Sequence, residues 1–552
     1  MIKKQLFRIK MVFMILLVTM VGTIIYTTQN RVLEKQIAAL QREVRYWGYK
    51  VELSNNGSSG LASAGAFVWD TLGRQVDVNY SNAVEVSNNE LAESVPVLVY
   101  HGIVPKTDRF SLPEKDFKEH MFALKRAGFQ TVTLDDFQLF LEGKKSLPRK
   151  SFLLTFDDGR LDSYQGSDPI LQALGYNAVM YVPAGKSLGP KTQNEYYIDS
   201  THIREMVQSG RWEIESHGMQ VNGGVIVIDS AGTKGNFLSN KMWLEDEERL
   251  ETSEEYEARI RRELEESKHK LEQVTGREIL SFSYPFGDYG QQGKNFEGAS
   301  AVIKAALQSN YKMAFKQAWP LGDTFSSNDA AERDLYHLRR IEPDTSWNGE
   351  DLLQNIERGM GKALPYQDTF AVDNGWRTIW GTGLIENSSL RLKSSEVATG
   401  AFVFLDGTKH WQDYMYKVTL DREEGDYVSL FARIQNNENY IACTFSDEKV
   451  KIDQQVNGRL TNLVQVDNPV TAPSTQVTLG MLVEGSHVKC FVGRTVVAYD
   501  LVQRNFRTGG IGLRIWDESV GNASINIHNL EVFAADQVEN LMLTMPVYKK
   551  GG

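Results

Sequence analysis

Cysteine is nearly absent: Cys443 and Cys490 are the only two in 552 residues. One disulfide is the most they can form, and their positions in two β-like runs favour a reading as small buried hydrophobes. Basic charge is also in deficit, with 60 Lys and Arg against 71 Asp and Glu and a net charge of −11. That balance gives no support to nucleic-acid binding. No internal repeat is evident. No small-x-small cleavage site follows the uncharged run Met11–Thr28, so a removed signal peptide is disfavoured.

That run is eighteen residues long, near the lower limit for a membrane span, and Lys3, Lys4, Arg8 and Lys10 precede it. The expectation is a cytoplasmic basic segment (1–10), a transmembrane anchor (11–28) and an exported bulk. Leu33, Ile37, Leu40, Val44, Trp47 and Val51 follow at alternating spacings of four and three. This heptad pattern predicts a short coiled coil over 29–53, with a homodimer or another partner joined through it. A single amphipathic helix lying on the membrane or on the next domain is the other reading. Residues 54–94, with N-N-G-S-S-G and S-N-N-E, read as a linker in which Ala66–Val78 has the alternation of a stray strand.

From Val95 strands alternate with helical stretches. Glu114–Ala127, Leu134–Leu141, Leu171–Leu174 and Tyr256–Val274 carry helical spacing, and Gly128–Val132 and Ala178–Val182 read as strands. Repeated βα units predict a parallel sheet, closed or nearly so, with chemistry at the C-terminal strand ends. After about Pro365 helical periodicity vanishes. Nine alternating runs follow: Ser389–Leu392, Met415–Leu420, Tyr427–Ile434, Tyr440–Phe445, Gln476–Val483, His487–Val492, Thr495–Asp500, Gly510–Ile515 and Ser524–Phe533. They predict an all-β sandwich over 365–535, followed by a tail at 536–552.

The most informative segment is S-F-L-L-T-F-D-D-G-R-L, Ser151–Leu161. A buried apolar run ends in two adjacent carboxylates, Asp157 and Asp158, and a turn-permitting Gly159. Ionised acids are costly at such a strand end unless a cation or a proton transfer uses them. Neighbours on a strand point to opposite faces, so one Asp can hold a metal while the other accepts a proton.

T-F-D-D-G resembles the first motif of the polysaccharide deacetylases, the NodB-homology or carbohydrate esterase family 4 enzymes. W-E-I-E-S-H-G-M-Q-V-N (Trp212–Asn222) and L-S-F-S-Y-P-F-G-D-Y (Leu280–Tyr289) match later motifs in order. V-P-V-L-V-Y-H-G-I (Val95–Ile103) resembles the opening strand of the branch acting on poly-N-acetylglucosamine. The resemblance covers about Val95–Pro365. It implies a distorted (β/α)7 barrel over 95–364 that removes N-acetyl groups from an extracellular amino-sugar polymer of exopolysaccharide or biofilm type. It further implies a divalent metal, Zn²⁺ first and Co²⁺ or Ni²⁺ as alternatives.

Carried onto this chain, the resemblance makes Asp157 the base and Asp158, His217 and Asn222 the metal ligands. The oxyanion falls to the backbone N–H of Phe286. Tyr284, Pro285, Gly287, Asp288 and Arg340 are the expected substrate contacts. Three positions depart from the family pattern. Asn222 stands where a second ligand His is expected, and its neutral amide oxygen predicts a looser site. Ser283 stands where the commoner motif has an Arg that orients the base. The Leu-x-Leu-His segment that carries the general acid is missing, and Tyr336–Asp344 (Y-H-L-R-R-I-E-P-D) stands near its place. His101 is the expected replacement proton donor, ahead of His337. These departures also motivate a second reading, a catalytically impaired glycan-binding or scaffolding protein of the cell surface.

The C-terminal runs D-T-F-A-V-D-N-G-W and G-G-I-G-L-R-I-W-D resemble concanavalin-like jelly rolls. They imply a sandwich that binds glycan, with Trp376, Trp380, Trp411 and Trp516 as candidate stacking platforms. The acidic balance would suit a cationic, partly deacetylated polymer. The whole chain is thus expected to be a single-pass protein of the cell membrane with its catalytic domain outside.

Overall fold

The computed structural model describes residues 40, 42–50, 52–53, 91–104, 111–189, 196–219, 224–317, 328–329, 334–395, 399–436, 438–468, 476–502, 507–518 and 521–540. Among them no helix is long and apolar enough to cross a membrane. The expected anchor at 11–28, the stray strand at 66–78 and Asn222 lie outside the described residues.

Six parallel strands pair in sequence: β1 (Val97–Tyr100), β2 (Ser151–Phe156), β3 (Ala178–Val182), β4 (Trp212–Ser216), β5 (Ser281–Ser283) and β6 (Met313–Phe315). Residues 338–341 close the ring. Leu338 bridges Phe315 and Ile341 bridges Leu98, both in parallel. These seven staves form the expected barrel. All six residues of β2 are buried, as a parallel strand covered on both faces requires. Val97, Leu153, Val179, Phe315 and Leu338 share one apolar cluster within the ring. Their neighbours Leu98, Leu154, Phe156 and Met180 pack outward in the cluster that includes the helices.

The helices end where the sequence stops them. Leu161–Leu174 terminates at Gly175, and Ser253–Thr275 at Gly276, both glycines in the left-handed conformation. Thr252 and Glu255 form a capping box at the start of the latter. Residues 40, 42–50 and 52–53, the described part of the predicted heptad segment, are helical and dock on the barrel. Arg45 bonds Glu114 at 2.8 Å, Lys118 bonds Glu52 at 2.9 Å, and Tyr49 packs edge-on against Phe122. The helix thus lies on the next domain, while Leu40 of the heptad row stays 47% exposed.

The C-terminal region is a two-sheet sandwich. One sheet runs Trp376–Trp380, Gly400–Leu405, Gly510–Trp516, Tyr427–Asn436, Asn439–Phe445, Lys449–Val456 and Arg459–Asp467 in spatial order. The other has eight strands centred on Ser524–Ala534 and Tyr414–Glu424. All nine predicted runs are strands. Lys362 knits the sandwich to the barrel: its ammonium donates to the Asp406 carbonyl at 2.7 Å, and its own carbonyl accepts from the Trp411 indole at 2.5 Å.

Cys443 and Cys490 form a disulfide between the two sheets, their Cα atoms 5.9 Å apart. The reading as two unpaired small hydrophobes is therefore overturned. Each residue faces the sandwich core from its own sheet, which brings them opposite one another. Chain entropy for closing a 47-residue separation amounts to about 4 kcal/mol. Changing both cysteines to alanine is expected to lower sandwich stability by roughly 2–4 kcal/mol. Calorimetry showing an unmoved unfolding transition would refute this.

Candidate active site

The site is built at the C-terminal ends of the staves. β2 delivers Asp157 and Asp158 on a strained turn: Asp158 is left-handed (φ 68°) and Gly159 follows at φ 56°. A Cβ on residue 159 would meet Pro183 at 3.0 Å, so this position needs glycine both for conformation and for space. The turn separates the two carboxylates. Asp157 is buried in the ring, and Asp158 faces His217 at the end of β4.

Asp157 is gripped by a side chain from the opposite end of the domain. Arg340, wholly buried on the closing stave, donates Nη1 to Oδ1 and Nη2 to Oδ2, each at 2.7 Å. Ser283 of β5 donates to Oδ2 at 3.0 Å and accepts from Arg340 Nη2 at 2.8 Å. Burial alone would raise the Asp157 pKa, but the charge and hydrogen bonds of Arg340 hold its carboxyl far below the usual carboxylate range. Arg340 is thus not placed to touch a sugar. It stands where the missing motif arginine would act, arriving from another stave and meeting Asp157 together with Ser283.

His217 donates Nδ1–H to the Ser283 carbonyl at 2.8 Å, which leaves Nε2 facing Asp158 Oδ1 at 3.5 Å. A neutral imidazole nitrogen and a carboxylate aimed at one another are both acceptors, so the pair calls for a shared cation or proton. This donor chemistry fits a divalent metal. Asp158, too, has burial working against its charge, and the His217 beside it keeps its pKa below the ordinary value. Among the described residues no third His, Cys, Asp or Glu completes a cluster, and the third expected ligand, Asn222, lies outside them. The loop after His217 is tied down by Glu263, which accepts from the Met219 N–H at 2.7 Å.

His101, just past β1, places Nδ1 3.0 Å from Glu342 Oε1. Burial disfavours its proton, yet the Glu342 hydrogen bond and the charges of Asp157, Glu342 and Asp158 outweigh that and raise its pKa. His337 instead bonds Asp334 at 2.8 Å and stacks on Tyr284, so it does not share this environment.

The loop 284–288 divides sharply. Phe286 is left-handed (φ 60°) and 51% exposed. Tyr284 is buried, its hydroxyl donating to the Tyr336 carbonyl at 2.9 Å. Asp288 is also buried and accepts from Ser239 at 2.5 Å and from the Gly290 N–H at 3.0 Å. Pro285 and Gly287 are buried too. Of the expected substrate contacts, Tyr284, Asp288 and Arg340 are therefore internal supports. Only Phe286 presents a broad surface at this turn. Sequence reasoning missed Glu342 and Glu263. Glu342 had a signal, since it shares Arg340's parity on a strand-like segment.

Residues 144–301 match the sequence model of the polysaccharide deacetylase family. YxkH of Bacillus subtilis (strain 168), named as a candidate polysaccharide deacetylase, is 27% identical over 270 residues, 49% of this chain and 78% of its own length. The poly-β-1,6-N-acetyl-D-glucosamine N-deacetylase of Escherichia coli (strain K12) is 31% identical over 157 residues, 26% of this chain and 23% of its own. A solved de-N-acetylase from Aggregatibacter actinomycetemcomitans aligns with 47% of this chain and 99% of its own at 22% identity and a TM-score of 0.39.

Proposed function

Residues 144–301 being a polysaccharide deacetylase domain, we propose that the protein hydrolyses N-acetyl groups of an extracellular amino-sugar polysaccharide, a poly-N-acetylhexosamine of exopolysaccharide type. The relatives named as poly-β-1,6-N-acetyl-D-glucosamine N-deacetylases support that substrate class. The observation that carries the reading is the pair of differentiated carboxylates. Asp157 is locked by Arg340, and Asp158 is aimed at a His217 whose other nitrogen is pinned.

In this reading Asp157 accepts the proton of the attacking water, and its ion pair keeps it ionised and oriented. The Phe286 N–H donates to the oxyanion that develops on the acetyl carbonyl. His101, protonated and backed by Glu342, delivers a proton to the departing sugar amine, so that acetate and a free amine result. Asp158 and His217, with Asn222 as third donor, would hold a divalent cation, which when bound polarises the carbonyl and acidifies water. The disulfide supports an exported location, consistent with an anchor at 11–28. A scaffold without turnover has no use for a buried carboxylate held in this way, which weighs against that alternative.

The test is acetate release by the full chain in detergent. Chelation is expected to abolish release from β-1,6-linked N-acetylglucosamine oligomers, and added Zn²⁺, Co²⁺ or Ni²⁺ to restore it. The docked helix 42–50 should be retained in any shortened form. No acetate from any N-acetylated glucan or galactosaminoglycan, under any of these metals, would overturn the proposal.

A further inference from the structure

Of the four candidate tryptophans, two belong to the sandwich core. Trp376 donates its indole to Asp368 at 2.9 Å and Trp411 to the Lys362 carbonyl, and both are buried. Trp380 and Trp516 differ. The register pairs Trp380 with Phe402, Phe402 with Arg514, and Tyr427 with Trp516, which puts all five on one face of the seven-stranded sheet. The core residues Ala401, Val403, Leu513 and Ile515 alternate with them and point the other way, so this face is the outer one.

The aromatic rings run in contact across the face. Trp516 meets Trp380 edge-on at 6.2 Å, Trp380 meets Phe402 at 6.5 Å, Phe402 meets Phe431 at 5.1 Å, and Phe431 meets Tyr440 at 5.0 Å. Trp516 is 39% exposed, while Phe431 is buried beneath its neighbours. Arg514 lies over the Phe431 ring, its guanidinium carbon 5.0 Å from the centroid. Its Nε is buried without an acceptor, and its hydrogen bond to Ser429 Oγ is long, at 3.4 Å. No carboxylate lies within ion-pair distance of it among the described residues. Asp453 acts on it only through its field and is itself bonded to Asn462.

The buried Nε is out of a ligand's reach, but the Nη2 bond to Ser429 is long, so the end of this half-buried guanidinium can take a better acceptor. Flat aromatic surface next to such donors suits a sugar chain, with pyranose C–H faces on the rings and hydroxyl or acetamide oxygens on Arg514. The charge narrows the ligand further. Lys451, over the Tyr427 ring, adds a second cation on the same sheet. Free glucosamine ammonium groups would be repelled here, whereas acetylated residues are neutral.

We propose that the Trp380, Trp516, Phe402 and Arg514 surface is a second glycan site that binds the N-acetylated polymer in preference to its deacetylated form. The sandwich then holds substrate and releases product. The identity of the polymer rests on the deacetylase reading; the site and its preference for neutral over cationic sugars do not.

The test is affinity electrophoresis of the full chain, blocked in turnover by Asp157→Asn with Arg340→Met, through gels holding β-1,6-linked N-acetylglucosamine polymer or its deacetylated product. Wild-type sandwich is expected to be retarded by the acetylated polymer. Trp380→Ala with Trp516→Ala should weaken that at least about tenfold. Arg514→Met should erase the preference for acetylated polymer. Trp380→Phe with Trp516→Phe guards against misfolding and should keep most of the binding. In the chain with Asp157 intact, the two alanine changes should leave acetate release from short oligomers unchanged. Equal retardation of alanine variant and parent, or tighter binding of the deacetylated polymer, overturns the proposal. Retardation of the blocked chain with no acetate release from the chain with Asp157 intact sinks the deacetylase reading and leaves the glycan site standing.

Discussion

Changing Arg340 to methionine is expected to remove turnover and to destabilise the barrel by about 3–5 kcal/mol, the cost of leaving a buried charge without its partner. Asp157 and Arg340 are both shielded from water, so neither can exchange the other for solvent. The double change Asp157→Asn with Arg340→Met should recover most of the stability and none of the activity, because two neutral groups of similar volume tolerate burial. Thermal unfolding and acetate assays on the single and double variants read the two effects apart. The pH dependence has a definite sign. A carboxylate whose folded pKa is depressed contributes stability that is complete above the ordinary Asp range and is lost as pH falls toward the folded value. Without Arg340, burial pushes the Asp157 pKa above its unfolded value, so the contribution changes sign: that variant should gain stability as pH falls, where the parent loses it. Equal stability of parent and Arg340→Met variant would show that the ion pair is not what holds the base.

His101→Gln is expected to lower kcat by roughly 10²–10⁴-fold, the usual worth of a positioned proton donor. Its raised pKa keeps the imidazole charged to higher pH than a free histidine. Activity that needs this proton is therefore full below the raised value and declines as pH rises through it. The glutamine variant should lack that alkaline decline altogether. Glu342→Gln removes one of the groups that raise the pKa, and so should bring the decline to lower pH without abolishing turnover. Metal content measured by elemental analysis should be unchanged in both. If His101→Gln lost its metal in parallel with its rate, the histidine would be supporting the metal site and not delivering a proton.

Local pattern carried the fold further than it carried the site. The largely apolar stretch before Asp157 and the helices stopped at Gly175 and Gly276 announce themselves over a dozen residues. The strand Lys449–Val456 did not, because its outward positions are filled by Lys, Asp and Gln that read as turn or surface. Asp157 and Asp158 stood out because adjacent acids at a strand end have few other uses, and His217 because it follows a second strand-like run; the structure brings Asp158 and His217 together. Arg340 was seen but given the wrong task. Its partner is 183 residues away, and only closure of the ring by 338–341 brings the two together. Tyr284 and Asp288 failed for a related reason: a motif shows that a loop is special without saying which of its side chains turn inward. The disulfide likewise required the knowledge that the two strands belong to facing sheets.

The ring closure sets the smallest piece of this protein that can work. Residues 144–301 contain β2 through β5 but neither β1, β6 nor the closing stave. A fragment cut at those limits would leave β2 and β5 as raw sheet edges, ready to pair with other copies. Its Asp157 would sit at a stave end with no counter-charge. The stretch matched by the family's sequence model is therefore shorter than the stretch that is mechanically whole. During synthesis Asp157 stays unpaired until the ribosome has passed residue 340, nearly two hundred residues after it emerges.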